Sequence, residues 1–551
     1  MQLGKQHTIP LSPILKRTNT TVRTRTGGFL GLFIKWSWYG IILSAVLQCV
    51  FFGSAKNIFA VICVLVAWHI TTSFVLTRSL LSRFTLSTFL IIGFSITQFY
   101  LPILFTLLEG KPLVYNLEVP YDVFTHSLSS FIVLILCHQG YVYVQKRKPN
   151  SKLKIQRMLA RLHLYKQPSD RQIWVIGFIG LASMFFIHFI VKGSGNDGES
   201  GGGNAVIQGL VPFAYAPYFI PLSRMFGNKH ADRKRIIYEL LIYTVLLFII
   251  SIGRNSRGAF MMGFTSIGIG YFLGLLMGKF NYKIFTPRNF LLGLLVFYII
   301  TGPLSDLGTA MVVVRGQRGS VSSQQLIELT LEAYQDKDAL RDYKNKASQS
   351  AISTDWDEHY FDNIFLARFC NLKFNDLCLR HAEQLEGVSP LMRQYSIQRF
   401  LIVFPQPILD FIGLEIDKSK ILPYSSADYL LALSNQSYLR GGLRVGQFSG
   451  VGMASFGWWY LLILGLAMIP VYYLLDLFVR TVTITSPTRL RTYISLAGLL
   501  SITSIFMFLS LSSISTNVMN IFAYIIRGWI QMVLLYWMIS ACARLLTRFM
   551  K

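Results

Sequence analysis

Runs of 18 or more apolar residues recur from one end of this 551-residue chain to the other. Each is long enough to cross a hydrocarbon core of ~30 Å as a helix. Inside that core the backbone must satisfy its own hydrogen bonds, which restricts such a chain to a bundle of spanning helices. Only 14% of the residues are charged, against about 25% in a soluble domain. The expected fold class is an all-α polytopic membrane protein with about twelve transmembrane helices. The expected spans are 28–52, 57–77, 86–108, 122–144, 173–192, 205–223, 236–253, 258–278, 289–304, 451–475, 493–513 and 519–540. Residues 1–27 are polar and basic, without an apolar core or small-residue cleavage site, and are expected to be a cytoplasmic tail.

The charges sort the links between spans. The formal charge is +26, yet stretch 305–450 holds 17 acidic and 15 basic residues, leaving 9 and 37 for the rest of the chain. The 146–171 link carries nine basic residues and one acid. Arg224, Lys229, Arg233, Lys234 and Arg235 mark a second basic link, Lys279, Lys283 and Arg288 a third, and Arg480, Arg489 and Arg491 a fourth. With twelve spans, all of these share one side with the N-terminal tail and the 541–551 tail. The positive-inside rule makes that side the cytoplasm. No basic domain stands apart from the spans, which argues against nucleic acid as a partner.

The opposite side receives the turn at 53–56, the link 109–121, the glycine-rich 193–204 and the whole of 305–450. A connection that long carries structure of its own. It is expected to be a helical subdomain, on the non-cytoplasmic side in this orientation, between spans 28–304 and spans 451–540. Ser322 with Gln325 has capping-box form, and Ser389-Pro390 is a helix start. The apolar run 400–414 is broken by Pro405 and Pro407, and is expected to lie in the interface or dip into the membrane. No internal repeat is evident.

Arginine placement carries the functional expectation. Arg254 and Arg257 open span 258–278 on the outer side, against the charge bias. Arg315 and Arg318 follow span 289–304, Arg440 and Arg444 precede span 451–475, and Arg527 sits within span 519–540 toward its outer end. A guanidinium fork meets phosphate oxygens through two parallel charge-assisted bonds. Several forks near an outer face would suit a lipid-linked pyrophosphate, with neighbouring glycines admitting backbone amides. The plainer reading is topological anchoring, or ion pairs with Asp306, Asp410 or Asp428. Asp306, Asp428 and His359 are the candidate catalytic bases, although each alone is more often a solvated or capping group. His69, His126, His138 and His188 lie in apolar spans, where hydrogen-bonded packing is the commoner role. The D-x-D patterns at 336–338 and 355–357 are discounted, and no C-x-x-C or H-E-x-x-H spacing suggests a metal. No cofactor is expected. The six cysteines are scattered, and Cys370 and Cys378 are too far apart along a helix for a disulfide.

At these residues the chain resembles the O-antigen polymerase (Wzy-type) superfamily of bacterial polysaccharide polymerases. The resemblance covers roughly residues 236–460. It rests on S-R-G-A-F at 256–260, the R-x10-G spacing from Arg257 to Gly268, the large late loop, and F-S-G-V-G-M-A-S-F-G-W-W at 448–459. It implies an inverting, metal-independent glycosyl transfer at the periplasmic face of a bacterial inner membrane. The growing glycan would leave undecaprenyl pyrophosphate for the non-reducing end of a new lipid-linked unit. Partners would be that lipid-linked oligosaccharide, membrane lipid and a candidate chain-length regulator protein. Where members often carry Pro-Arg-Pro, this chain has Pro405-Gln406-Pro407; the His-Asn motif of the related ligases is missing. A lipid-linked oligosaccharide flippase, an O-antigen ligase and another polyprenyl-dependent glycosyltransferase are the alternatives.

Overall fold

The computed structural model describes residues 28–148, 150–191, 202–227, 233–253, 257–280, 286–287, 302–314, 323–338, 356–421, 424–435, 444–485, 488–509 and 514–549, with isolated positions at 291, 294, 295, 298, 340 and 342. For a few of these, among them His188 and Arg257, only the backbone is described. The long helices are α1 (Phe29–Phe51), α2 (Ala55–Val75), α3 (Thr85–Leu108), α4 (Pro120–Arg147), α5 (Asp170–Val191), α6 (Val206–Met225), α7 (Arg233–Gly253) and α8 (Arg257–Leu276). There follow α9 (Pro303–Val313), α10 (Ser323–Gln335), α11 (Leu372–Glu383), α12 (Pro390–Leu401), α13 (Gln406–Phe411) and α14 (Ser426–Ser434). The chain closes with α15 (Phe448–Phe456), α16 (Tyr460–Asp476), strands β1 (Val479–Thr485) and β2 (Thr488–Ile494), α17 (Leu496–Leu500), α18 (Ile502–Phe506) and α19 (Asn520–Phe549).

This is a multi-pass, helical membrane protein: among the described residues nine helical stretches are long and apolar enough to cross a bilayer, with Met261–Leu276 a shorter apolar helix. The expected count of twelve differs at the remaining places. Span 289–304 falls largely outside the described residues. Span 493–513 is no single helix: α17 and α18 are short, and Phe508 and Leu509 adopt φ of 56° and 59°. Left-handed backbone in bulky residues stops a helix. It is tolerated here because both residues are buried in protein. Gly93 of α3 makes room, since a methyl group there would lie 2.0 Å from the Phe506 carbonyl oxygen. Span 451–475 is also interrupted. Gly457, at φ 59° and ψ −151°, separates α15 from α16. Phe448 packs on Phe94, Phe508 and Tyr460, so α15 folds back against α16 as a hairpin.

An antiparallel β-hairpin, Val479 pairing with Ile494 through to Thr485 with Thr488, was not expected in the 476–492 link. Its β-branched V-R-T-V-T-I-T sequence favours strand.

Side-chain contacts sort the links to two ends of the bundle. At one end Gln48 of α1 donates to Thr106 Oγ1 and the Lys111 carbonyl and accepts from Asn57 and the Leu113 amide. Tyr360 donates to the Leu113 carbonyl at 2.6 Å, which brings the 356–435 helices to this end. Phe248, Ser251 and Ile252, near the close of α7, line an apolar cleft with α9 and Phe365, so the C-terminal end of α7 belongs here too. At the other end Tyr165 donates to the Leu477 carbonyl, Thr492 to the Ser82 carbonyl, and Lys279 lies 4.7 Å from the Tyr493 ring centroid. The basic 146–168 link and the β-hairpin therefore gather opposite residues 356–435.

Candidate functional site

The site is built around α15. Its small residues admit close neighbours: a methyl group on Gly450 would lie 2.3 Å from the Cys378 carbonyl carbon of α11, and one on Gly452 would lie 2.7 Å from Tyr460 Cβ. Ser449 Oγ donates to Asn375 Oδ1, and Asn375 Nδ2 donates to Ser127 Oγ of α4 at 3.2 Å. On the other flank Ser455 Oγ pairs with Ser396 Oγ of α12 at 2.8 Å. Asn517 Nδ2 donates to Ser396 and to Ser426. Helices α11 and α12 are thus fastened onto α15 by polar bonds between small side chains, and Asn517 ties α14 to α12.

The N-terminal lip of α15 holds two of the candidate residues. Ser425 caps α14 and Asp428 completes the capping box, accepting from the Ser425 amide at 3.1 Å. The other carboxylate oxygen of Asp428 accepts from Arg444 Nη1 at 3.0 Å and from the Arg444 amide at 3.3 Å. Asp428 is fully buried, and the Arg444 side chain is 16% exposed. With both oxygens engaged, Asp428 is better suited to hold a guanidinium than to take a proton from a substrate. Arg444 keeps further N–H donors and partial access to solvent.

The other candidate bases each have a partner of their own. Asp306, in the first turn of α9, accepts from Lys337 Nζ at 3.2 Å. His359 Nε2 lies 3.3 Å from Asp362 Oδ1, and its carbonyl accepts from Asn116. Lys111 Nζ binds Asp362 at 2.8 Å and Glu109 at 2.9 Å. Burial opposes ionisation of Asp362, but Lys111 and then His359 more than offset it and hold the carboxyl below its ordinary range. Arg527 sits in a π-helical turn of α19 and is exposed. Arg527 lies between Phe522, whose ring meets Phe400 of α12, and Trp529, which donates to the Leu474 carbonyl in the last turn of α16. Among the described residues no contact joins Arg527 to Arg444. Arg254, Arg315, Arg318 and Arg440 lie outside the described residues, as does the Arg257 side chain.

Three polar clusters join residues that the sequence alone did not connect. Asp376 of α11 accepts from the Glu118 and Val119 amides at 2.8 and 2.9 Å and from Lys373 Nζ at 3.0 Å, capping the start of α4. Both partners are buried. The spacing of Lys373 and Asp376 was the available signal. His126 Nδ1 pairs with Tyr460 at 2.8 Å beneath a stacked Trp458, a packing role for a span histidine. At the opposite end, buried Asp476 accepts from Tyr141 at 2.8 Å, from Ser87 Oγ at 2.9 Å and from the Ser87 amide at 3.2 Å, with Lys152 Nζ 3.7 Å away. Ser87 Oγ also pairs with His138 Nε2 at 3.0 Å.

Cys370 and Cys378 are free and buried. Among the described residues no group of three or more His, Cys, Asp or Glu side chains is placed to hold a metal ion. The chain matches no protein-family model, no curated protein and no solved structure.

Proposed function

We propose that this protein polymerises lipid-linked oligosaccharide repeat units of O-antigen or capsule type. It acts as a glycosyltransferase of the bacterial inner membrane, with the 356–435 helices at the periplasmic side and both termini cytoplasmic. The observation that carries the reading is Arg444, fixed by buried Asp428 at the lip of α15 beside an end of the bundle poor in basic links. A guanidinium held in place loses little freedom on meeting an anion, which is what a pyrophosphate site requires. Arg440, Arg254, Arg257, Arg315 and Arg318 would supply further forks.

In the proposed reaction the anomeric carbon of the growing glycan breaks its bond to undecaprenyl pyrophosphate, which leaves with the electron pair. The acceptor hydroxyl of the new lipid-linked unit forms the glycosidic bond with inversion, and its proton passes to a base. His359 and Asp306 are the remaining candidates for that base. The arginines supply the countercharge that a metal ion would provide elsewhere.

Deleting the gene and resolving surface polysaccharide on a gel tests this reading: single repeat units and no ladder are expected. Arg444→Ala, at normal membrane abundance, is expected to lower chain extension by roughly 10²-fold or more, the scale for losing one transition-state donor. Full-length polymer from that variant would refute the proposal. A lipid-linked oligosaccharide flippase is the second reading, supported by the interruptions at Gly457 and at Phe508–Leu509. A flippase deletion would leave no units outside at all.

A further inference from the structure

We propose that residues 388–414 are seated in the bilayer, with α13 at the boundary between headgroups and acyl chains. Lipid is the ligand of its outward face. The proposal goes beyond the catalytic reading and does not depend on it.

The surface of α13 carries the argument. Ile408, Phe411 and Ile412 follow i, i+3, i+4 spacing and all point outward, Phe411 being 93% exposed. Leu409 points inward and is fully buried. Gln406 donates to Asp410 at 2.8 Å, keeping a polar pair together on the same short helix. Large apolar side chains clustered in this way mark a surface that meets something other than water.

Its surroundings say what that is. Trp458 and Trp459, 52% and 71% exposed, open α16, where Leu462, Leu466 and Ile469 form the exposed apolar face of a spanning helix. Exposed tryptophans at a helix end are the usual mark of a membrane interface. The approach to α12 starts beside them, since a methyl group on Gly457 would lie 3.3 Å from Val388. Helix α12 then carries exposed Leu391 and Ile397 and reaches α19, where the Phe400 and Phe522 rings meet edge to face at 5.7 Å. The lipid-facing surface of α16 thus reaches α13 by way of α12, whose exposed side also carries Arg393 and Gln394, polar groups suited to headgroup level. Pro405 and Pro407 prevent a continuous helix, so the segment enters the leaflet and cannot cross it. An apolar face on a short helix fits the interfacial depth of ~5–10 Å seen for amphipathic helices. Ser396 and Arg393 of α12 bond to Ser455, so the bilayer-seated segment is tied directly to α15.

Site-directed spin labelling of the full-length protein in phosphatidylcholine–phosphatidylglycerol vesicles tests this. Cys49, Cys137 and Cys542 would be replaced by serine, and nitroxide attached to Phe411→Cys or Ile412→Cys. Leu466→Cys serves as the lipid-facing reference and Glu383→Cys as the water-facing one. Collisions with oxygen relative to a water-soluble nickel chelate are expected to match the Leu466→Cys value and to exceed the Glu383→Cys value severalfold. A ratio equal to that of Glu383→Cys would overturn the proposal. So would low collision rates with both reagents accompanied by dipolar broadening, which would mean that a second copy covers this face. Two labelled positions guard against misfolding of either variant.

Discussion

Replacing Asp428 by alanine should loosen the whole layer around α15, and the size of the effect can be worked out. The carboxylate is fully buried and accepts three hydrogen bonds, one of them from the Arg444 guanidinium. Removing one partner of a buried ion pair costs about 3–5 kcal/mol, because the other charge is stranded. Arg444 has partial access to water, which favours the lower figure of about 3 kcal/mol. At 1.4 kcal/mol per decade, that raises the open population roughly 150-fold. Cys378 reports the opening. Its sulfur accepts from the Gln447 amide at 3.2 Å across the α11–α15 contact, and burial pushes its thiol up to about 12. Labelling by a neutral maleimide under native conditions, with Cys49, Cys137 and Cys542 replaced, should therefore accelerate by about that factor. The double variant Asp428→Leu/Arg444→Met should recover to within ~1 kcal/mol of the parent, since it strands no charge. Labelling of Asp428→Ala within threefold of the parent would refute the reasoning, as would a double variant no slower than the single one.

Three further outcomes are expected. Gly450→Ala, whose new methyl would meet Cys378 backbone, should destabilise the α11–α15 contact by about 1–3 kcal/mol, read as faster Cys378 labelling. Asp362 has a carboxyl pKa held below its ordinary range, so its contribution is present above the unfolded-state value and is lost as pH falls through the folded one. Hydrogen exchange of the Asp362 and Asn363 amides, which donate to Glu109, should rise over that acidic window after correction for intrinsic rates, and Asp362→Asn should blunt the response. Lys152→Met should strand buried Asp476 at a cost of about 3–5 kcal/mol. Faster tryptic cleavage at Arg157 and Arg161 would report it, and an unchanged rate would show that Lys152 does not fasten the 146–168 link.

Apolar run length revealed most of the bundle, because a spanning helix is declared by consecutive residues. The departures fall where tertiary contacts decide. Nothing local marks Phe508 and Leu509 as left-handed; their conformation depends on Gly93 of another helix. The α15–α16 break looked like one continuous apolar span, and Gly457 is one glycine among several there. Arg444 and Asp428 were both visible as charged residues. Their pairing across 16 positions was not, and it shifts the aspartate from candidate base to support for the arginine. Asp476 escaped notice because a lone acid at the end of an apolar run resembles a helix terminus, whereas its partners come from α3, α4 and the 146–168 link.

The α15 hairpin also bears on how the protein is made. To an insertion machinery that gauges hydrophobicity, residues 448–476 are one stretch of 29 residues. In the folded bundle only the later part is a spanning helix, and the first nine residues are packed inside protein. Their partners on α11, α12 and α14 all precede them in the chain, so the surface that receives α15 is synthesised before α15 itself. Phe508 and Asn517 are made afterwards and close over it. Direction of synthesis and order of packing therefore agree at this element, and an α15 delivered early would have nowhere to bury Ser449 and Ser455.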